Sequence, residues 1–286
     1  MKIATWNIRG LIEDFKLQAL ERDLFRYNID ILTVQETHIR GTNKKSIGNK
    51  YTLYHTGPNT HSHHGVGIIV RNQFKGNFKV ISEKICQLDI ELENKDKISV
   101  IAAYAPTLTN STKDPSVADE FYSDLQNSIN SIPNRNQIFI GIDSNAQLGS
   151  GKYNTYPNNV GHFGKGRLNS NGERLGQLLI NNNFIATNTF FDHKIKHRVT
   201  WHHPNKNPNY IDKKSGTPRR NPIRNQIDFI LTQLKFKPLT QDSRSYCGTE
   251  TETDHNIVIL KCKELKPYTG ASVSGCKSRP CSFVGF

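Results

Sequence analysis

Ile138-Phe139-Ile140-Gly141-Ile142-Asp143-Ser144-Asn145 is an apolar run that ends in a carboxylate and, two positions later, a carboxamide. A short continuous apolar run predicts a strand buried on both faces, in a sheet covered by helices. Asp143 and Asn145 then stand at the rim of that sheet, within reach of a substrate. Two other predicted strands end the same way, Thr33-Val34-Gln35-Glu36 and Gln226-Ile227-Asp228, and Thr253-Asp254-His255 adds a further acid and a histidine.

Working outward, residues 2–8 alternate as a short strand that delivers Asn7 to its end. Leu17, Leu20, Leu24 and Phe25 recur at helical spacing over residues 12–27, and Ile29 to Val34 reads as a second buried strand. Strand, helix, strand predicts a parallel crossover whose functional edge is the carboxyl end of the strands, where Asn7 and Glu36 both fall. Short β segments follow over residues 51–104, closing at Tyr104-Ala105-Pro106, where the proline takes the chain out of the sheet.

A helix over residues 116–132, with Val117, Phe121, Leu125, Ile129 and Ile132 on one stripe, precedes the opening strand. A shorter helix over 173–182 follows a long Gly- and Asn-rich loop, and strands are expected at 184–188, 198–201, 226–232 and 253–260. Two mixed halves of this kind predict two sheets packed face to face with helices outside, an α/β fold in one domain over residues 1–265. Residues 266–286 are small, polar and patternless, and read as a flexible tail or linker.

The chain has 286 residues, a formal charge of +13 and an apolar fraction of 35%, enough for a core. Such a charge favours polyanionic partners over acidic-surface proteins or neutral small molecules; a nucleic acid or an anionic membrane would both fit it, and of these double-stranded DNA is the partner expected. Between Phe191 and Gln226 nine basic residues face only Asp192 and Asp212, so more than half of the net charge lies between two site-bearing strands. Arg219 and Arg220, with Lys213, Lys214 and Thr200, are the candidate DNA contacts. No stretch is long and apolar enough for a membrane span or a signal-peptide core, which predicts a soluble intracellular protein without a membrane partner.

Five cysteines, four of them late in the chain, do not make a disulfide framework; Cys276 and Cys281 offer half of a zinc site with no second half following. His61, His63 and His64 have spacing open to a metal, but a polar loop before Gly65-Val66-Gly67 is the stronger reading. Gly161-His162-Phe163-Gly164-Lys165-Gly166 is a candidate phosphate cradle on its glycines alone.

The distributed set suits phosphodiester hydrolysis, which needs a cation against the phosphoryl charge, a base for water and donors to position the phosphate. Glu36 offers a hard oxygen ligand for Mg²⁺ or Mn²⁺, which keep several waters and take one or two carboxylates. Asp143 is placed to orient or deprotonate the attacking water, and Asn145 to hold that water or the phosphate. His255, if bonded to Asp228, is held in one tautomer and favoured as imidazolium beside a phosphate oxygen. Tyr104 supplies one more donor.

Thr5-Trp6-Asn7, Gln35-Glu36-Thr37, Tyr104-Ala105-Pro106, Asp143-Ser144-Asn145, Gln226-Ile227-Asp228-Phe229 and Thr253-Asp254-His255 together resemble the motif series of the endonuclease/exonuclease/phosphatase superfamily. Gly161-His162-Phe163-Gly164, Asn169-Ser170-Asn171-Gly172, Asn188-Thr189 with Phe191, and Thr200-Trp201 resemble, within it, the apurinic-like endonuclease domain of non-LTR retrotransposons. The resemblance implies a four-layered α/β sandwich of the DNase I-like kind. It implies a nuclear enzyme that nicks DNA so that the 3′ hydroxyl primes reverse transcription, by a reverse transcriptase domain of the same polyprotein.

By that resemblance Glu36 binds the metal, Asn7 supports it or Asp143, Asp143 activates water with Asn145 as partner, and Tyr104 contacts the scissile phosphate. Asp228 and His255 form the phosphate-side pair, and Asp254 is a structural acid or one for a second metal. The chain departs from the pattern twice. Repair apurinic endonucleases carry an acid two residues after the first Asn, where this chain has Arg9, which argues against a repair role. The usual Gly before the catalytic Asp is Ile142, which predicts an altered local turn. A non-catalytic DNA-binding module of the same fold, an apurinic repair endonuclease and a phosphatase are the alternative readings.

Overall fold

The computed structural model describes residues 1–60, 63–93, 96–151, 154–203 and 224–263. The alternation at the amino end becomes β1 (Lys2–Asn7), followed by α1 (Asp14–Tyr27) and β2 (Ile31–Gln35). Asn28 closes α1 in a left-handed conformation, its N–H bonding the carbonyls of Leu24 and Phe25 as a helix-ending residue does. β1 and β2 are parallel with Asn7 opposite Gln35, as the crossover requires.

Next come β3 (Asn43–Ile47), β4 (Tyr51–Thr56), β5 (Val66–Arg71), β6 (Gly76–Ser82), β7 (Ile85–Glu91) and β8 (Lys97–Tyr104). A short α2 (Leu108–Lys113) and α3 (Pro115–Asn130) lead to β9 (Gln137–Asp143). Then follow α4 (Ser170–Asn181), β10 (Phe184–Ala186), β11 (Trp201–His202), β12 (Arg224–Asn225), β13 (Asp228–Gln233), β14 (Thr240–Tyr246) and β15 (Ile257–Cys262).

The strands form a seven-stranded sheet in the order β14-β15-β1-β2-β5-β4-β3 and a six-stranded sheet in the order β10-β13-β9-β8-β7-β6; β11 and β12 pair separately. Ile31, Ile68, Leu88, Val100, Phe139 and Val258 pack in the core between the sheets. Trp6, Leu20, Leu24 and Leu32 join α1 to the first sheet, and Phe121, Leu125, Ile140 and Leu175 join α3 and α4 to the second. Helix, sheet, sheet, helix is the four-layered α/β sandwich expected.

β8 and β9 are parallel with Tyr104 opposite Asp143, while β13 runs antiparallel to β9 with Asp228 opposite Asp143. Both parallel crossovers therefore discharge their strand ends at one edge, which is where the polar residues collect.

Ile142 sits inside β9, and no turn is altered there. Side chains alternate across a strand, so Ile142 packs with Ile140 against the helical layer while Asp143 points to the other face with Gly141. A Cβ on Gly141 would stand 1.8 Å from Thr33 Oγ1 and 2.9 Å from Thr5 Cβ, so glycine is required where the two sheets approach closest to the site.

The strand expected over 198–201 is confined to Trp201–His202, and β3, α2 and β14 are additional elements. Residues 266–286, Cys276, Cys281 and His61 lie outside the described residues, as do Lys213, Lys214, Arg219 and Arg220. Cys86 and Cys262 are buried free thiols, and Cys247 is an exposed one. Among the described residues no helix is long and apolar enough to cross a membrane.

Candidate active site

The strand ends converge on a cleft of about 400 Å³ lined by Arg9, Glu36, Tyr104, Asp143, Asn145, Trp201, Asp254 and His255, among others. At its centre, Asn7 Nδ2 donates to Glu36 Oε1 at 2.8 Å and to Asp143 Oδ2 at 2.8 Å. One carboxamide thus joins acids from different sheets. The Tyr104 hydroxyl donates to the same Glu36 Oε1 at 2.8 Å. Glu36 itself adopts a left-handed φ of 50°, a conformation uncommon outside glycine and often found at functional sites.

Asp143 receives the N–H of Asn145 at 3.2 Å, and the Asn145 side chain donates to the Ala105 carbonyl at 3.0 Å. Asn145 is thereby pinned across the ends of β8 and β9. On the far side, His255 Nδ1 lies 3.1 Å from Asp228 Oδ1 and 3.0 Å from Oδ2, with its Nε2 3.9 Å from Asp143 Oδ2.

Burial and the Asp228 charge push the Asp143 carboxyl up to about 7, against the opposing pull of His255, Asn7 and Asn145. Burial would lower His255, but the Asp228 carboxylate beside it, with Asp143 and Asp254 nearby, raises the imidazolium to about 9. Burial would raise Glu36 as well. Hydrogen bonds from Asn7 and Tyr104, and the charges of His255 and Arg9, hold it below the usual carboxylate range. Burial and the neighbouring acids Glu36 and Asp143 push the Tyr104 hydroxyl well up, so it remains a donor.

Of two groups of side chains that offer ligand atoms to a divalent cation, Glu36 fits one, and the cluster of Asp143, Asp228 and His255 is already committed to its own bonds. Glu36 has Oε1 anchored by two donors, so Oε2, which lies 3.5 Å from His38 Nε2, is the oxygen to offer a hard ion. Asp143, Asp228 and His255 bring ligand atoms within 4.8 Å of one another, but His255 can serve there only by giving up its ion pair with Asp228. Asp254 is differently employed: its Oδ2 accepts from Arg9 Nη1 at 2.9 Å and Trp201 Nε1 at 3.1 Å, while the buried Oδ1 has no hydrogen-bond partner.

Asn7, Glu36, Tyr104, Asp143, Asn145, Asp228, Asp254 and His255 all meet at this edge. Thr200 does not belong to a DNA-facing surface. It is fully buried, and its hydroxyl accepts the N–H groups of Ile227 at 2.9 Å and Asp228 at 3.0 Å, which fixes the start of β13. The Gly161–Gly166 segment is not an open cradle. The N–H of Gly161 bonds Thr189 Oγ1, that of Phe163 the Thr189 carbonyl and that of Lys165 the Gln226 side chain. Its glycines serve close packing: a Cβ on Gly161 would meet the Thr189 carbonyl oxygen at 2.2 Å. The histidine loop flanks the cleft, with the His64 ring 5.7 Å from that of Tyr104 and His63 edge-on to His38 at 6.2 Å.

Three supporting residues escape a reading based on strand ends. Trp6 Nε1 donates to the His255 carbonyl at 3.0 Å, and Thr253 Oγ1 bonds the Asn7 carbonyl at 2.9 Å and receives the His255 N–H at 3.2 Å. Trp201 holds Asp254. A tryptophan inside a strand next to a polar strand end is the available signal, since a buried indole N–H needs an acceptor.

Residues 4–255 match the model of the endonuclease/exonuclease/phosphatase family. The chain is 27% identical over 261 residues to craniofacial development protein 2 of Bos taurus, covering 91% of this chain and 40% of that relative, so it spans less than half of that protein. The catalytic domain of Xenopus laevis APE2 superposes with a TM-score of 0.64 at 15% identity, over 95% of this chain and 94% of that one. The endonuclease domain of TRAS1, a telomere-specific non-LTR retrotransposon, superposes with a TM-score of 0.61 at 12% identity, over 92% and 98%. Members of the matched family are typically metal-dependent hydrolases of phosphodiester bonds. With its sheets, strand ends and polar cleft in that arrangement, the chain belongs to the endonuclease/exonuclease/phosphatase family.

Proposed function

We propose that the chain is a DNA endonuclease that nicks one strand of duplex DNA in the nucleus and leaves a 3′ hydroxyl, which primes reverse transcription of a non-LTR retroelement by a reverse transcriptase domain of the same polyprotein. The observation that carries the hydrolytic part is the Asn7 bridge, which couples Glu36, a cation ligand, to Asp143, a base. The likeness to the TRAS1 endonuclease domain and the charge of +13 support DNA as the substrate and the retroelement setting.

In this reading Glu36 would hold a divalent ion, Mg²⁺ or Mn²⁺, which would supply positive charge to the phosphoryl oxygens. Asp143, ionised above its raised pKa, accepts the proton of the attacking water; a base near neutrality matches that task. Asn7 holds Asp143 in place, and Asn145 donates no proton but fixes the strand end that carries it. His255, charged through Asp228, stabilises the anionic phosphoryl oxygens. The Tyr104 hydroxyl lines the same cleft with its one proton on Glu36 Oε1, and contact with the scissile phosphate would take that proton from Glu36. The basic run containing Lys213, Lys214, Arg219 and Arg220 contributes phosphate contacts and the salt dependence of binding.

Supercoiled plasmid incubated with Mg²⁺ should be converted to the nicked circle, and the product should accept nucleotides from a polymerase at its 3′ end. EDTA or Asp143→Ala should abolish conversion while DNA binding persists. Nicking that survives Asp143→Ala refutes the mechanism; binding without any nicking leaves a DNA-binding module instead.

A further inference from the structure

Arg9 lines the cleft, and its guanidinium is the arginine among the described lining residues. It is held there with care: Arg9 adopts a left-handed φ of 46°, its N–H bonds Asn7 Oδ1 at 3.2 Å, and Lys16 donates to its carbonyl at 3.0 Å. A non-glycine residue in that region costs free energy and persists where its surroundings impose it. The conformation turns the side chain toward Asp254, with Nη1 2.9 Å from Oδ2.

Asp254 is the acid that lines the cleft together with Glu36 and Asp143. Its Oδ2 is shared by Arg9 and Trp201, and its buried Oδ1 lies 4.0 Å from His255 Nε2 without a hydrogen bond. A carboxylate already paired with a fixed cation has lost most of its attraction for a second one, because binding an ion there means displacing the guanidinium or adding like charge beside it. The Arg9 side chain is 49% exposed on average, and a guanidinium has five donors, so one N–H on Asp254 leaves the others open to the cleft. Their planar fork matches phosphate geometry.

We infer that Arg9 is a resident cation: it occupies the Asp254 carboxylate, so that the cleft takes one divalent ion, at Glu36, and its remaining donors clamp the scissile phosphate. The inference rests on the phosphodiesterase reading for the clamp, and on the ion pair alone for the stoichiometry.

Counting Mn²⁺ by electron paramagnetic resonance, with calorimetry as a second measure, tests the stoichiometry without reference to turnover. The wild-type chain should bind one ion, lost in Glu36→Gln. Arg9→Ala should expose a second, weaker site that Arg9→Ala/Asp254→Asn removes, whereas Arg9→Lys, which keeps the charge, should keep the count at one. Two ions in the wild type, or one ion in Arg9→Ala with an unchanged melting temperature, overturn the inference. Arg9→Ala should also slow plasmid nicking by about 100-fold, with partial rescue by Lys, in line with losing one charged donor to the transition state. One bound ion in a protein that cuts no DNA supports the stoichiometry and sinks the proposed function; plasmid nicking with two bound ions does the reverse.

Discussion

His255 Nδ1 faces both carboxylate oxygens of Asp228, at 3.1 and 3.0 Å, within the buried edge where the two sheets meet. This contact sets the charge of the ring, and with Asp143 it sets the pH range of the reaction. Asp143 must be ionised, which begins near 7, and His255 must be protonated, which ends near 9. kcat/KM should therefore follow a bell with limbs near those values; the limbs belong to the coupled group rather than to one residue. Asp228→Asn removes the charge that raises both His255 and Asp143, so the alkaline limb should move to lower pH and the acid limb with it. An alkaline limb unmoved by that substitution would exclude His255 as its origin.

Among the described residues Asn7 is the one side chain that hydrogen-bonds both Glu36 and Asp143. Asn7→Ala removes a donor from each acid, so Glu36 loses orientation as a ligand and Asp143 loses a bond to its ionised form. Nicking should fall roughly 10–100-fold, the usual cost of losing a group that orients a metal ligand. The acid limb of the pH profile should rise with it, since the Asn7 bond is among the influences holding Asp143 down. A lower rate with the acid limb unchanged would restrict Asn7 to holding Glu36.

Gly141 lets the two sheets close. Gly141→Ala would drive a Cβ into Thr33 Oγ1, whose own bond to the Ala4 carbonyl is 3.2 Å long. Overpacking of this kind costs about 1–3 kcal/mol, seen as a lower midpoint in urea. Gly141→Ala/Thr33→Ala should recover part of the loss, a coupling expected of residues in contact. Ile142→Val, on the opposite face, trims one methyl and should cost about 0.5–1.5 kcal/mol. Additive effects of the Gly141 and Thr33 changes would disprove the contact.

The parts of this architecture legible in the sequence are those where one physical signal dominates. β9 is apolar at every position from Ile138 to Ile142, and α3 carries its stripe at helical spacing, so burial alone predicts both. β14 was illegible because it is a polar edge strand, Thr240-Gln241-Asp242-Ser243-Arg244-Ser245-Tyr246, whose inward residues Ser243 and Ser245 are buried through hydrogen bonds. β3 places Lys44 and Lys45 on an exposed edge, where charge discourages further pairing and erases the apolar pattern. In the site, carboxylates and amides at strand ends were readable by position. Thr200 lies within the basic stretch and so reads as a phosphate contact, whereas its buried hydroxyl accepts two backbone N–H groups. Arg9 was visible as a departure, but its pairing with Asp254 joins residues 245 positions apart and has no local signature.

Asp143 and His255 also give the metal-free protein a pH-dependent stability of definite sign. Asp143 is raised from an ordinary 3.8 to about 7, so the folded state holds that proton more tightly than the unfolded chain. Its contribution is full below about 4 and is lost as pH rises through 7. His255 is raised from 6.5 to about 9, so its contribution is full below about 6.5 and is lost as pH rises through 9. Both slopes run the same way. In EDTA the free energy of unfolding should fall from pH 5 to pH 9, by an amount on the order of a few kcal/mol. Asp143→Asn should flatten the part below pH 7 and keep most of the alkaline part, because His255 is still raised by the Asp228 charge and hydrogen bond, which outrank the Asp143 charge. Urea titrations across that range provide the measurement, and a stability that rises from pH 5 to 9 would contradict the assignment of both groups.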